Sequence, residues 1–231
     1  MLSNIFNNLN WSVLIDVLTA VIPALICITF HELSHGFAAY SLGDNTAKEM
    51  GRLTLNPIKH IDVFGLLMMI FFKFGWAKPV PVNMYRFKRP KWYMAITAIA
   101  GPLSNILLAA VVLFIYGLVL KPLYSMKSQD VAEVIINMIF LTAYISVALA
   151  VFNLLPIPPL DGSKVLFSLL PSSAYYKLMQ YERYGIILLI IFINIDVVFK
   201  TNIFGGTIGK MTETLFDGML GITKATLNLV G

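Results

Sequence analysis

The chain has 231 residues, 58% of them apolar and 13% charged, about half the ~25% charged share usual for soluble proteins. Seventeen Lys and Arg with 12 Asp and Glu are too few to clothe a soluble protein of this size, so the composition places the chain in a lipid bilayer. The formal charge of +5 does not point to nucleic acid, because no aromatic residues are interleaved along a basic face.

The basic residues cluster. Nine of the 17 fall within residues 43–91 (Lys48, Arg52, Lys59, Lys73, Lys78, Arg86, Lys88, Arg89 and Lys91), against Asp44, Glu49 and Asp62. Such asymmetry marks the cytoplasmic side of a membrane protein. Cys27 is the single cysteine, so no intramolecular disulfide framework exists. No Lys or Arg precedes Lys48, and the first apolar run is therefore expected to be a retained span rather than a signal peptide.

A spanning helix needs about 20 mainly apolar residues. The first candidate runs from about Ser12 to Leu42, the second from about Trp92 to Leu120, and the third from about Val131 to Leu155. Lys91 and Trp92 open the second at the interface, Lys121-Pro122 close it, and Pro156 ends the third. A shorter apolar run from about Tyr184 to Phe199 is expected to be a further span. Val63–Trp76, interrupted by Lys73, is too short to cross and reads as interfacial or re-entrant.

Residues 203–230 place Phe204, Ile208, Met211, Leu215, Met219 and Ile222 at helical spacing, with Lys210, Glu213, Asp217 and Lys224 between them. That pattern favours an amphipathic helix on the membrane surface over a fifth span. The linkers 121–130 and 156–183 are too short for an accessory domain. The expectation is one membrane-embedded domain over residues 1–231, an all-α multi-pass bundle of about 4–6 membrane helices. A small re-entrant or β segment would lie between its first two core spans. With residues 43–91 on the cytoplasmic side, the ends of the first and third spans share that side.

Thr29-Phe30-His31-Glu32-Leu33-Ser34-His35-Gly36 lies within the first span, where ionisable side chains are costly and mark function. Histidines at i and i+4 share one helix face and can direct two imidazoles at one metal. Glu32 stands on the flank of that face, within reach of a water at the metal. The bland alternative is a buried polar cluster bonded to neighbouring helices. Catalytic zinc sites generally use three protein ligands. His60 lies in the polar stretch 56–62 and reads as interfacial, while Glu133 falls at the far end of span three. Asp161 follows span three on the correct side, after Pro156, Pro158 and Pro159, which exclude helix and hold the chain extended. From the residues alone, Asp161 reads equally as a ligand or as the N-cap of a helix beginning near Ser163.

Three segments, His31–Gly36, Ala100-Gly101-Pro102-Leu103-Ser104-Asn105 and Asn153–Gly162, resemble in order those of the site-2 protease family of intramembrane zinc metalloproteases, peptidase family M50. Residues 51–57 and 77–83 also resemble that family's segments between core spans. The resemblance covers roughly residues 20–165. It implies His31, His35 and Asp161 as ligands of one Zn2+ per chain, with Glu32 as general base. It further implies Asn153, and more weakly Asn105, as substrate-binding or oxyanion residues. Candidate strands Arg52–Leu55 and Pro79–Val82 would pair with an unwound substrate segment. Cys27, one turn before His31, reads as packing. The linkers leave no room for PDZ or CBS modules, so this resembles a minimal member.

The implied function is hydrolysis of peptide bonds in or near transmembrane segments, as in regulated intramembrane proteolysis. The expected partners are transmembrane protein substrates and the lipid bilayer, not nucleic acid, and a homo-oligomer is an option. The expected location is the cell membrane, with the active site toward the cytoplasm. The alternatives are a metal-ion transporter or binding protein using the same cluster, a peptidase whose third ligand is Glu182, and an inactive scaffold.

Overall fold

The computed structural model describes residues 11–65, 67 and 77–229. The described chain is helical, with three helices long and apolar enough to cross a membrane. Helix α1 spans Trp11–Ser41, and the short α2 spans Thr46–Glu49. Helices α3 (Pro90–Tyr124) and α4 (Gln129–Asn153) follow, then α5 (Asp161–Ser168) and α6 (Ser172–Tyr181). Helix α7 spans Gly185–Phe199 and α8 spans Ile203–Leu229. Most of the Val63–Trp76 run lies outside the described residues.

The three long helices form where long apolar runs favour internal backbone hydrogen bonding, although Pro23 in α1 and Pro102 and Pro122 in α3 each remove one such bond. Polar side chains then tie them together. Cys27 Sγ on α1 donates to the Thr142 carbonyl of α4 at 3.2 Å, so this cysteine packs rather than reacts. Ser146 Oγ on α4 donates to the Asn105 carbonyl of α3 at 2.8 Å. Small residues let the helices approach closely. Ala109 and Leu113 of α3 meet Ala143, Val147 and Val151 of α4 in one buried cluster, joined by Phe216 of α8.

Helix α8 packs lengthwise against α3 and α4. Phe216 sits edge-on to Phe140 and Tyr144, each with ring centroids 5.3 Å apart, and Thr223 Oγ1 donates to the Leu113 carbonyl at 3.0 Å. Lys210, Glu213, Asp217 and Lys224 are exposed, on the opposite face that the amphipathic spacing predicts. Helix α7, 15 residues long, reaches about 22 Å at 1.5 Å per residue.

The expected strands at Arg52–Leu55 and Pro79–Val82 do not form a ladder; the described residues show only an isolated antiparallel bridge between Ile61 and Ala77. The reason is chemical. Pro79 and Pro81 lack the N–H a ladder needs, and Arg52 takes the carbonyls of Lys78 (2.7 Å) and Pro79 (3.3 Å) for its guanidinium. His60 is buried within the protein, its ring bonded to the Thr54 carbonyl at 2.9 Å, and its own carbonyl accepts from Lys78 N. Arg52 and His60 thus hold residues 77–83 against the rest of the loop.

The Asn153–Asp161 segment also departs from the extended path expected of it. Its prolines exclude helix, yet the chain turns, with Leu160 N donating to the Ile157 carbonyl at 2.9 Å and a cis Pro158–Pro159 bond. Gly162 permits the closure. A Cβ there would stand 2.1 Å from the Leu154 carbonyl oxygen, so only glycine lets α5 fold back onto the end of α4.

Candidate metal centre

The His31 and His35 rings stand one above the other on α1, edge to face with centroids 4.6 Å apart. Both residues are buried, about 15 and 9 Å from the helix's C-terminal end at 1.5 Å per residue. Their Nε2 atoms lie 3.0 Å from each other. Asp161, the first residue of α5, brings Oδ2 to 3.2 Å from His31 Nε2 and 3.1 Å from His35 Nε2. Three side chains expected to share a metal therefore converge, from points 130 residues apart in the chain.

Behind the histidines, α3 fixes the rings. His35 Nδ1–H donates to the Thr97 carbonyl at 2.7 Å, which leaves the Nε2 lone pair facing Asp161. Asn105 is fully buried, its side-chain amide 3.4 Å from His31 Nδ1, while its Oδ1 has no hydrogen-bond partner among the described residues. With the amide turned by a half-turn, that oxygen would accept from His31 Nδ1–H, and the His31 Nε2 lone pair would face Asp161 as well. Gly101 makes the approach sterically feasible: a Cβ there would stand 2.4 Å from His35 Nε2 and 2.7 Å from His31 Cε1.

In that tautomer three lone-pair donors face one another in a buried space. Asp161 Oδ2 is itself buried without a hydrogen-bond partner. Such an arrangement is repulsive unless a cation sits among the donors. The donor spacing of 3.0–3.2 Å is close to the ~3.3 Å between ligands of a tetrahedral ion with ~2.0 Å bonds. Two imidazoles and a carboxylate are a set that suits zinc. The cluster fits the metal that the sequence implies.

The alternative role for Asp161 does not appear in the geometry. The N-cap position of α5 is Leu160, with no side-chain capping bond, and Asp161 Oδ1 instead faces Lys164 Nζ at 3.8 Å.

Glu32 is half-buried and shares a cleft of about 350 Å3 with the triad, Asn153, Lys164 and Glu182. Its Oε2 accepts from Val80 N at 2.7 Å. Within Pro79-Val80-Pro81, Val80 carries the only N–H, so the prolines were a legible signal for this donor. Gly36 lets the loop lie close to α1; a Cβ there would meet Val80 Cγ1 at 3.0 Å. Asp44, fully buried, accepts from Asn83 N at 2.6 Å and anchors the loop's other end.

Asn153 lines the cleft and uses one side-chain N–H on the Leu149 carbonyl at 2.9 Å, leaving its second N–H and its oxygen. Asn105 touches His31 and is not among the cleft-lining residues. Glu182 lies at the cleft, 3.3 Å from Lys164 Nζ and outside the triad. Burial works against the Lys164 charge, but the Glu182 and Asp161 carboxylates outweigh it and hold its pKa above the ordinary lysine value. Sequence reasoning gave Lys164 no role in the site. Thr97 was equally invisible, because it acts through its backbone carbonyl.

Comparison with known proteins points the same way. Residues 19–195 match the model of peptidase family M50. The candidate zinc metalloprotease YwhC of Bacillus subtilis is 42% identical over 175 residues, covering 75% of this chain and 79% of the relative. The candidate zinc metalloprotease Rip2 of Mycolicibacterium smegmatis is 28% identical over 174 residues, 72% of this chain and 63% of that protein. A third relative, the candidate zinc metalloprotease MJ0611 of Methanocaldococcus jannaschii, is 30% identical over 162 residues, 70% of this chain and 75% of its own. No solved structure matches.

Proposed function

The chain belongs to peptidase family M50, and from that premise we propose that it is an intramembrane zinc endopeptidase that cleaves membrane-protein substrates in or near their transmembrane segments. The observation that carries this reading is the convergence of His31 Nε2, His35 Nε2 and Asp161 Oδ2 within 3.2 Å of one another, inside an apolar helix bundle and beside Glu32. The triad would hold a single zinc per chain, in one membrane-embedded domain.

Bound zinc supplies Lewis acidity, polarising a scissile carbonyl and lowering the pKa of water toward ~7. The protein's own groups do the rest. Glu32 accepts the proton of the attacking water and returns it to the leaving amine. The Val80 N–H holds one Glu32 oxygen, which orients the carboxylate and leaves Oε1 for the proton. Thr97 and Asn105 keep the two imidazoles turned so that Nε2 serves the metal. Asn153, which lines the cleft, would hold a substrate carbonyl through its remaining N–H. The substrate must be locally unwound, because a helical peptide bond engages its carbonyl in the i→i+4 ladder.

The basic residues of the loop after α1 favour the cytoplasmic face of the cell membrane for that loop and the nearby cleft. Water then reaches the site over a few turns of α1 rather than from mid-bilayer. Regulated intramembrane proteolysis is the process this arrangement serves. The test uses the full chain purified in detergent with a transmembrane model substrate. Glu32→Gln is expected to abolish cleavage while zinc stays bound. Undiminished cleavage by that variant would overturn the proposed role of Glu32.

A further inference from the structure

The proposed chemistry uses His31, Glu32, His35 and Asp161, yet the same cleft holds two more charged groups, Lys164 and Glu182. Lys164 stands one helical turn after Asp161 on α5, its Nζ 3.8 Å from Asp161 Oδ1 and 3.3 Å from Glu182 Oε1. On an exposed helix such a pair would contribute little. Here the Asp161 side chain is only 10% exposed, and those of Lys164 and Glu182 are 23% and 25% exposed.

Two features set the group apart. Asp161 divides its oxygens: Oδ2 faces both histidines, and Oδ1 faces the ammonium. A carboxylate can bind a metal through one oxygen or two, and a partner on its outer oxygen orients it. The formal charges also balance. Glu32, Asp161 and Glu182 carry three negative charges and Lys164 one positive, a net of −2 that a divalent cation neutralises.

We propose that Lys164, anchored by Glu182, is a positioning residue whose ammonium pairs with Asp161 Oδ1 and thereby restricts Asp161 to one oxygen toward the metal. This rests on the reading of His31, His35 and Asp161 as the metal triad. Restricting the carboxylate keeps the coordination number low and preserves an open position for water and substrate beside Glu32.

The test loads the full chain in detergent with Co2+ as a spectroscopic stand-in and reads affinity by chelator competition and geometry by visible ligand-field absorption. The variants are Lys164→Met, Lys164→Arg, Glu182→Gln and Asp161→Asn. Lys164→Met should weaken Co2+ binding by about 10- to 100-fold and lower the absorption intensity toward that of a higher coordination number. Lys164→Arg should restore the wild-type spectrum, and Glu182→Gln should fall between the two.

A wild-type spectrum and affinity in Lys164→Met, with binding lost in Asp161→Asn, would overturn the positioning role and leave the metal triad standing. Undiminished binding in Asp161→Asn would instead overturn the triad. Should Lys164→Met fail to fold, the near-isosteric Glu182→Gln decides: a spectrum and affinity equal to wild type overturns the proposal, and an intermediate shift supports it.

Discussion

Gly101→Ala is the smallest change that should disable the metal centre while leaving the bundle intact. The added methyl would stand 2.4 Å from His35 Nε2, 2.5 Å from His35 Cε1 and 2.7 Å from His31 Cε1. Ordinary carbon contacts begin near ~3.5 Å, so the His35 ring must retreat by about 1 Å or α3 must move away. A metal site tolerates ligand displacements of about 0.2 Å, and the required shift is several times larger. His35 has little room to move, because its Nδ1 is bonded to the Thr97 carbonyl on the same helix as Gly101.

Overpacking of this kind costs about 1–3 kcal/mol of stability, which a helix bundle can survive. The functional loss should be larger, at least ~100-fold in cleavage for a displacement of this size at reacting groups. The assay compares zinc retention against a chelator, thermal unfolding in detergent, and cleavage of a transmembrane model substrate. The expected result is a folded variant that gives up zinc readily and is nearly inactive. Wild-type zinc retention together with wild-type cleavage would refute the argument that Gly101 is the space into which the histidines fit.

Asn105→Leu should remove the partner of His31 Nδ1 and weaken zinc binding by about 10- to 100-fold; an unchanged affinity in chelator competition would contradict the orienting role. Arg52→Met frees the Lys78 and Pro79 carbonyls, loosening the loop that supplies Val80 N–H to Glu32. It should lower cleavage while zinc content is unchanged, and equal loss of both would argue against a role confined to the loop. Tyr175 is fully buried with its hydroxyl unpartnered among the described residues, and burial pushes its pKa up to about 12. The folded state therefore holds this proton more tightly than the unfolded state, so stability falls as pH rises from ~10 toward about 12. Tyr175→Phe should remove this contribution to alkaline loss and raise stability by about 1–3 kcal/mol at neutral pH, read as a higher melting temperature in detergent; a lower one would show that the hydroxyl is bonded.

The three long helices were legible because their signals are local. Apolar runs of spanning length, Lys91-Trp92 at an interface and Pro156 as a stop fixed their ends to within a few residues of α1, α3 and α4. The paired histidines were equally local, since i,i+4 spacing on a helix dictates a shared face. Asp161 was different. Its residues alone did not separate ligand from cap, and the resemblance to a family weighed the choice toward the ligand.

The relations missed were those between elements remote in sequence. Thr97 meets His35 across 62 residues through a backbone carbonyl, for which no side chain advertises the role. Lys164 and Glu182 come from α5 and a turn beyond α6; Lys164 alone reads as an ordinary surface charge, and Glu182, weighed as an alternative ligand, gives no sign in the sequence that it pairs with Lys164. The strands expected at 52–55 and 79–82, tied to the family resemblance, do not form because Pro79 and Pro81 lack the donors a ladder needs. Spacing exposed the polar face of α8 in advance, but the seam with α3 and α4 depended on Thr223, Phe216 and Gly117 meeting partners that a periodicity cannot name.

The central claim, that His31, His35 and Asp161 hold one zinc beside Glu32, is tested most directly by counting metal. The full chain and its His35→Ala, Asp161→Asn and Glu32→Gln variants would be purified in detergent, dialysed against a weak chelator and analysed for zinc per polypeptide. One zinc is expected in the wild type and in Glu32→Gln, and a marked loss in the two ligand variants. One zinc retained in both His35→Ala and Asp161→Asn would contradict it.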